Sequence, residues 1–219
     1  MKCEKTLKDI GGAPYDAAKD GCPVHWAAEL AARVQAESCG KALYCRSGFQ
    51  QIGLILEALR SGQTKDEDLD LLKELTGQVS RLSDCAMSRD AAKLIADTLA
   101  EQADVFQQHA RRKRCPSLKC APLAQFYIDP AACTGCGKCL ERCPSGAIAG
   151  GEGMIHVIST ARCTHCAACE GVCAAVKRCD PHGVAPKLPA QPCPVGSFAA
   201  AAAAPGRGGL RGGLRGRRG

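Results

Sequence analysis

With 219 residues, 17 cysteines and an aromatic content of 4%, the chain has the length of one or two small domains and excludes a large aromatic core. Its formal charge of +7 does not indicate a nucleic-acid-binding body, because subtracting the five arginines that follow residue 205 leaves +2. No apolar run reaches the length of about 18 residues that spans a bilayer, and no apolar run follows Met1 as in a signal peptide. We therefore expect a cytoplasmic protein without membrane contact. In such a protein the cysteines are expected to bind metal rather than form disulfide bonds.

Four amphipathic helices are predicted over residues 22–110, after an irregular segment over residues 1–21. Apolar residues recur in each at helical spacing. A proline suits the first helical position and a capping box suits a helix start. The helices are therefore expected to begin at Pro23, at about Arg46, at the capping box Thr64–Glu67, and at Ser88, the last one extending past Phe106. Short connections between such helices predict an antiparallel four-helix bundle.

A basic run and a cysteine pair occupy a predicted linker over residues 111–125. Arg111–Arg114 ends the last helix, where cations complement the helix dipole. His109 precedes Cys115 and Cys120, and a Cys/His set at a joint between domains has the chemistry of a zinc site. The local sequence offers no evident fourth ligand, so a pair of buried free thiols is the alternative.

A ferredoxin-like domain is predicted over residues 126–185, because the motif C-x2-C-x2-C-x3-C occurs twice there. This spacing holds cubane iron–sulfur clusters in bacterial ferredoxins, where the fourth cysteine of each motif ligates the other cluster. Zinc pairs also use C-x2-C, but they seldom repeat a triple-plus-one pattern. We assign cluster 1 to Cys133, Cys136, Cys139 and Cys173, and cluster 2 to Cys163, Cys166, Cys169 and Cys143.

The outlying ligand of cluster 1 has an alternative. Cys173 has the expected spacing but is followed by Ala174, whereas Cys193-Pro194 resembles the usual ending of such a motif. Cys173 is favoured because its spacing is intact. His165 lies inside the second motif, where it can hydrogen-bond near the sulfurs and raise the reduction potential of the cluster. The remaining histidines are interpreted as structural or surface residues: His25, His156 and His182.

Two further features surround these motifs. A β-hairpin is predicted around residues 150–153, between Ala147-Ile148 and Ile155–Ile158. Residues 186–219 are rich in Pro, Ala, Gly and Arg, which predicts a low-complexity disordered tail. The expected fold class is therefore α+β, with an N-terminal four-helix bundle of the iron–sulfur-binding type, a two-cluster ferredoxin-like domain and a disordered Arg/Gly-rich tail.

Residues 37–48 read E-S-C-G-K-A-L-Y-C-R-S-G. This segment resembles the E-S-C-G-K-C-x-P-C-R-x-G signature of the flavoprotein subunit of NADH:quinone oxidoreductases and of the NADH-linked subunits of electron-bifurcating hydrogenases. In that family the signature opens a helical bundle that binds a cubane cluster, and a further cysteine precedes the last helix. Residues 113–120 resemble the K-x-C-P-x-x-x-C segment of hydrogenase-type members, which a two-cluster ferredoxin module follows. The resemblance implies a third cluster site at Cys39, Cys45 and Cys85.

The chain departs from this family at two points. Ala42 replaces a cysteine, so the bundle site is incomplete. Its three thiolates can hold a 3Fe-4S cluster, or a 4Fe-4S cluster whose fourth ligand comes from elsewhere in the chain. Cys3 and Cys22 are candidates for that fourth ligand. Alternatively, the cluster is lost and the bundle is a docking scaffold. No segment corresponds to the family's flavin- and NADH-binding domain, and no phosphate-cradling glycine loop is present, so the chain alone is not expected to oxidise NADH.

These features predict an electron-transfer protein or subunit that relays single electrons through two 4Fe-4S clusters within an NADH- or hydrogenase-linked oxidoreductase complex. Its expected partner is a flavin/NADH-binding or hydrogenase-type redox subunit. The alternatives are a docking or scaffold protein, a degenerate remnant of a longer flavoprotein subunit, and nucleic-acid binding through the tail. The last is disfavoured because no aromatic residue follows Phe198 to stack on bases.

Overall fold

The computed structural model describes residues 4–184 and 186–198, in which a helical part precedes a part built from short strands. The helices are α1 (Ala17–Asp20), α2 (Pro23–Ala36), α3 (Phe49–Ser61), α4 (Asp68–Leu82), α5 (Ala86–Glu101), α6 (Ala103–Arg112) and α7 (Lys138–Arg142). The strands are β1 (Gln125–Ile128), β2 (Ile148–Ala149), β3 (Met154–Ile155), β4 (Val157–Ile158), β5 (Val176–Cys179) and β6 (Cys193–Pro194). This mixture of helices and small sheets agrees with the predicted α+β class.

Helices α2 to α6 pack around one hydrophobic core. Its fully buried side chains come from the predicted apolar faces and include Phe49, Ile52, Leu56, Leu72 and Phe106. Leu82, assigned to the same kind of face, is instead 54% exposed at the end of α4. Because the core draws on every helix from α2 to α6, the positions of the loops between them are fixed by packing rather than by local sequence alone.

The predicted fourth helix is divided in two. The backbone of Gln102 departs from helical geometry, with φ −111° and ψ 29°, so α5 ends there and α6 begins. The separate α6 contacts α2, α3, α4 and α5, and this packing buries Phe106 and His109. Because of this interruption, α6 packs against the core as a separate helix.

Three helix starts differ from the prediction. A π-helical turn over Tyr44–Gly48 precedes α3. Thr64 does not form the capping box, because its hydroxyl donates to the carbonyl of Ala110 at 3.0 Å and accepts from the ammonium group of Lys113; α4 starts only at Asp68. Ser88 lies inside α5, where its hydroxyl donates to the carbonyl of Cys85, the residue that caps the helix.

Three two-stranded antiparallel sheets organise the second part. β2 pairs with β4, with Ile148 opposite Ile158, as the predicted hairpin requires. Ile155, assigned to the same hairpin, instead lies in β3 and pairs with Cys193 of β6. β1 pairs with β5 and brings the start of this part next to the segment that follows the second cysteine motif.

Part of the predicted disordered tail is a strand. β6 lies within residues 186–198, and the amide of Val195 donates to the carbonyl of Gly153 at 3.0 Å. The segment over residues 199–219, with its arginines and glycines, lies outside the described residues, as do residues 1–3 and 185. Within the described ranges no helix is both long enough and apolar enough to cross a bilayer.

Two arginines fasten the segment that follows α6 onto the second part. Arg178 of β5 donates to both carboxylate oxygens of Glu170 and to the carbonyls of Leu118 and Lys119, the last two at 2.7 and 2.8 Å. Its guanidinium carbon also lies 5.4 Å from the centre of the Phe126 ring. Arg114 pairs with Asp180 at 2.6 Å. Charged hydrogen bonds therefore join the linker to both the second cysteine motif and β5.

Candidate metal centres

The thiols assigned to cluster 2 line one cavity. Cys143 comes from the end of the first motif, and Cys163, Cys166 and Cys169 come from the second. Phe126, Ile148 and Ile158 form apolar walls, and the empty space, including its open mouth, measures about 300 Å³. Burial raises the pKa of Cys169, and the three neighbouring thiols raise it further. Thiolates gathered in this way repel one another unless a cationic metal centre binds them, so the residues fit an iron–sulfur cluster.

Hydrogen bonds prepare Cys143 to act as a thiolate. Burial opposes ionisation of this thiol, but contacts to the Ser145 hydroxyl at 3.5 Å and the Ala147 amide at 3.3 Å outweigh it and lower the pKa of Cys143. His165, predicted to hydrogen-bond near the sulfurs, has its Nδ1 2.6 Å from the Ala124 carbonyl oxygen. That hydrogen bond ties the second motif to the residue before β1 and commits this nitrogen to the backbone rather than to a sulfur.

The thiols assigned to cluster 1 come from the first motif and from the last cysteine of the second. Burial, together with the adjacent thiols of Cys173 and Cys133, raises the pKa of Cys139 to about 12. Cys136 is exposed, and a backbone hydrogen bond at Lys138 lowers the pKa of its thiol. The loop that carries these ligands approaches the chain closely, since a Cβ on Gly135, whose φ is +72°, would lie 2.8 Å from the backbone of Gly153.

The predicted bundle site is less complete than the ferredoxin motifs. Cys45, on the π-helical turn, and Cys85, at the start of α5, are both 2% exposed. Burial raises the pKa of Cys45, and the Cys85 thiol beside it raises it further. Cys39 lies in the exposed loop before the turn, and Ala42 presents no ligating atom. These residues therefore provide two adjacent buried thiols, with the third cysteine in an exposed loop, which is a poorer fit to a cubane cluster.

A fourth candidate centre gathers side chains from distant parts of the chain. Cys22, His109, Cys115 and Cys120 are all buried, and their ligating atoms lie within 4.8 Å of one another. The Nε2 atom of His109 lies 3.5 Å from the sulfurs of Cys22 and Cys120, and those two sulfurs are 3.8 Å apart. Tetrahedral zinc with Zn–S bonds of about 2.3 Å places its sulfurs about 3.8 Å apart, so the donor set fits this metal.

The orientation of His109 suits a metal ligand. Its Nδ1 lies 2.9 Å from the Val105 carbonyl one turn earlier in α6, which fixes a proton on Nδ1 and directs the lone pair of Nε2 toward the thiols. Without a metal, burial acts to lower the pKa of His109, but hydrogen bonds to the thiols of Cys115 and Cys22 outweigh it and raise the pKa to about 10.

Cys22 is the ligand that sequence reasoning missed. The sequence makes it a candidate for completing the bundle cluster, but the structure brings it to His109, Cys115 and Cys120. It precedes α2 as the N-cap residue and is separated from His109 by 87 positions. No local spacing signals such a contact; Cys3, the other candidate, lies outside the described residues.

The chain resembles known proteins in both parts. Residues 25–109 match the NADH-ubiquinone oxidoreductase-F iron-sulfur binding region, and residues 126–149 match the 4Fe-4S binding domain. The NADP-reducing hydrogenase subunit HndC of Solidesulfovibrio fructosivorans is 34% identical over 154 residues, which is 70% of this chain and 31% of that protein. The F subunit of NADH-quinone oxidoreductase from Mycobacterium tuberculosis H37Rv is 31% identical over 80 residues, 36% of this chain and 18% of that protein.

A smaller relative matches a shorter part of the chain. Ferredoxin-1 of Rhodobacter capsulatus is 49% identical over 39 residues, 18% of this chain and 58% of that protein. The chain thus spans about a third of HndC and about a fifth of the mycobacterial F subunit. It contains the iron–sulfur binding region of the oxidoreductase-F family followed by a 4Fe-4S binding domain, and it is homologous to the C-terminal iron–sulfur part of that flavoprotein subunit.

Proposed function

We propose that the chain is an electron-transfer component that relays single electrons through two 4Fe-4S clusters. The observation that carries the proposal is the cavity lined by all four thiols of the cluster 2 set. When bound, the clusters supply one-electron oxidation and reduction. The polypeptide supplies the thiolates, the apolar walls that exclude water and the hydrogen bonds to sulfur, and these features set the potential.

The surroundings of Cys139 support Cys173 as the outlying ligand of cluster 1. The thiols of Cys173 and Cys133 both raise the pKa of Cys139, which indicates that the three sulfurs share one locality. Cys193, the alternative, lies in β6 and pairs through the backbone with Ile155. The proposed ligands are therefore two interleaved sets, in which each motif lends its last cysteine to the other cluster.

Exposure of the ligands supports electron exchange at the surface. Cys136 and Cys166, the second cysteine of each motif, are exposed, whereas Cys139 and Cys169 are buried. Each proposed cluster would thus have a solvent-facing edge and a core-facing edge. Exposed edges give a partner protein a short path to the cluster, and buried edges restrict access of water and oxidants.

The proposed partner is a flavin/NADH-binding or hydrogenase-type redox subunit. Its support is the homology to HndC, named as a subunit of an NADP-reducing hydrogenase, and to the F subunit of NADH-quinone oxidoreductase. In this arrangement the helical part would face the donor or acceptor subunit, and the ferredoxin part would pass electrons onward. Copurification of the chain with candidate redox subunits, followed by reduction of its clusters by NADH or hydrogen only in their presence, would test this assignment.

Anaerobic purification is expected to yield about eight iron and about eight sulfide ions per chain from the ferredoxin part, because each cubane cluster contains four of each. Dithionite should produce electron paramagnetic resonance signals of reduced 4Fe-4S clusters. The control is the variant with alanine at Cys163 and Cys169, which should lose cluster 2 and keep cluster 1. A chain that binds zinc alone in both motifs would rule out electron transfer.

We further propose a structural zinc ion at Cys22, His109, Cys115 and Cys120. The supporting observation is that four buried donors converge between the start of α2, the end of α6 and the linker. A Cys₃His set of this kind leaves no open coordination position, so its expected role is to hold the linker to the helical part rather than to catalyse a reaction.

Restoring a cysteine at Ala42 tests whether the bundle site still accepts a cluster. If Cys39, Cys45 and Cys85 are otherwise competent, Ala42→Cys should raise the iron content by up to about four atoms per chain. The matched control is Ala18→Cys, which adds an exposed thiol on α1. An unchanged iron content in both variants would favour a docking role for the bundle.

A further inference from the structure

His156 is a buried histidine next to a proposed cluster ligand. It joins β3 to β4, is 2% exposed, and its Nδ1 lies 3.7 Å from the sulfur of Cys133. Its other ring nitrogen, Nε2, is buried without a hydrogen-bond partner among the described residues. The ring is held from behind by Gly150, where a Cβ would lie only 2.3 Å from the ring atom Cδ2. The packing therefore directs the Nδ1 edge of the ring at Cys133.

The chemistry of a ligating thiolate determines what this nitrogen does. A free Cys133 thiol can donate to the Met154 carbonyl, 4.0 Å from its sulfur. Once it ligates a metal, the sulfur carries no proton and only accepts hydrogen bonds. An imidazole lone pair pointing at this anionic sulfur would be repelled, whereas an N–H would be attracted. A proton on Nε2 would also leave a buried donor unsatisfied, which is costly. Both considerations place the proton on Nδ1.

We propose that His156 sets the reduction potential of cluster 1 by donating its Nδ1–H to the sulfur of Cys133. This inference rests on the proposed electron-transfer function. A donor to a ligand sulfur stabilises the more negative, reduced form and so raises the potential. His165, which lies in the second cysteine motif, has its Nδ1 committed to the Ala124 carbonyl instead. The Nδ1–H of His156 is therefore a hydrogen-bond donor to cluster 1, and the matched spacing of the two cysteine motifs does not reveal it.

The test is voltammetry of the reconstituted full chain with substitutions at position 156. His156→Leu removes the donor, while His156→Asn retains an N–H at the position of Nδ1. We expect one of the two one-electron waves to shift to lower potential in His156→Leu and the other to stay in place. His156→Asn should restore most of the shift. The matched control is His182→Leu, which removes an exposed histidine and should move neither wave.

Two outcomes would overturn the inference. The first is an unshifted His156→Leu protein with a full iron content. The second is an equal shift in the leucine and asparagine variants, which would indicate a packing role only. If the leucine variant fails to assemble, electron–nuclear double resonance on the wild-type protein with ¹⁵N-labelled histidine decides: a histidine nitrogen coupled to a reduced cluster is expected, and its absence contradicts the proposal. Failure of the electron-transfer function itself would appear separately, as missing iron in the wild-type chain.

Discussion

Replacing Cys173 with alanine is expected to abolish the cubane form of cluster 1, whereas replacing Cys193 is expected to leave both clusters intact. The reason is the position of Cys173 beside Cys139 and Cys133. Without a fourth thiolate, one iron corner has no protein ligand. The iron content of Cys173→Ala should therefore fall from about eight to between about four and about seven atoms per chain, depending on whether a three-iron cluster survives.

Iron and sulfide analysis together with electron paramagnetic resonance measures this effect. Cys143→Ala is the matched comparison, because it removes the crossing ligand of cluster 2 and should cause a loss of the same size. Cys193→Ala should keep about eight iron atoms, although β6 loses a half-buried thiol. The opposite pattern, with iron lost from Cys193→Ala and retained in Cys173→Ala, would assign the outlying position to Cys193 and make residues 174–192 an insertion within the motif.

The ferredoxin motifs could be predicted from the sequence because their geometry is local. Each triple of cysteines lies in one short segment, so the spacing itself restricts the directions of three thiols. The helix faces were predictable for the same reason, since burial follows a period of 3.6 residues. Local patterns failed where a distant group competed for a side chain: Thr64 bonds to Ala110 and Lys113 instead of capping α4.

Contacts between distant segments account for the other differences. The division of the fourth helix at Gln102 lets α6 pack on four other helices and brings His109 into the core. β6 pairs with β3 across the segment between residues 155 and 193, so a strand appears where composition predicts disorder. The same is true of His156, whose role depends on Gly150 behind it and Cys133 in front of it. None of these contacts produces a periodic pattern in the sequence from which it could be predicted.

Replacing Cys22 with serine is expected to lower the zinc affinity of the chain by at least about 100-fold. Removal of groups that merely orient a ligand typically costs 10–100-fold in metal affinity, and Cys22 would be a direct ligand. The wild-type chain should carry about one zinc in addition to its iron, measured by inductively coupled plasma mass spectrometry after anaerobic purification. Its thermal unfolding temperature should fall on treatment with a zinc chelator, because metal binding to a preformed site adds to folding free energy.

The comparison with Cys179→Ser separates ligation from the general loss of a thiol. Cys179 is half-buried on β5, outside the four-donor set, so its variant should keep both zinc and chelator sensitivity. Retention of full zinc affinity by Cys22→Ser would contradict the four-donor site and leave His109, Cys115 and Cys120 as ordinary buried side chains. Iron at this position in place of zinc would instead identify a further redox centre. The measurement thus distinguishes a fixed structural joint, which the closed Cys₃His donor set favours, from an extra step in the electron path.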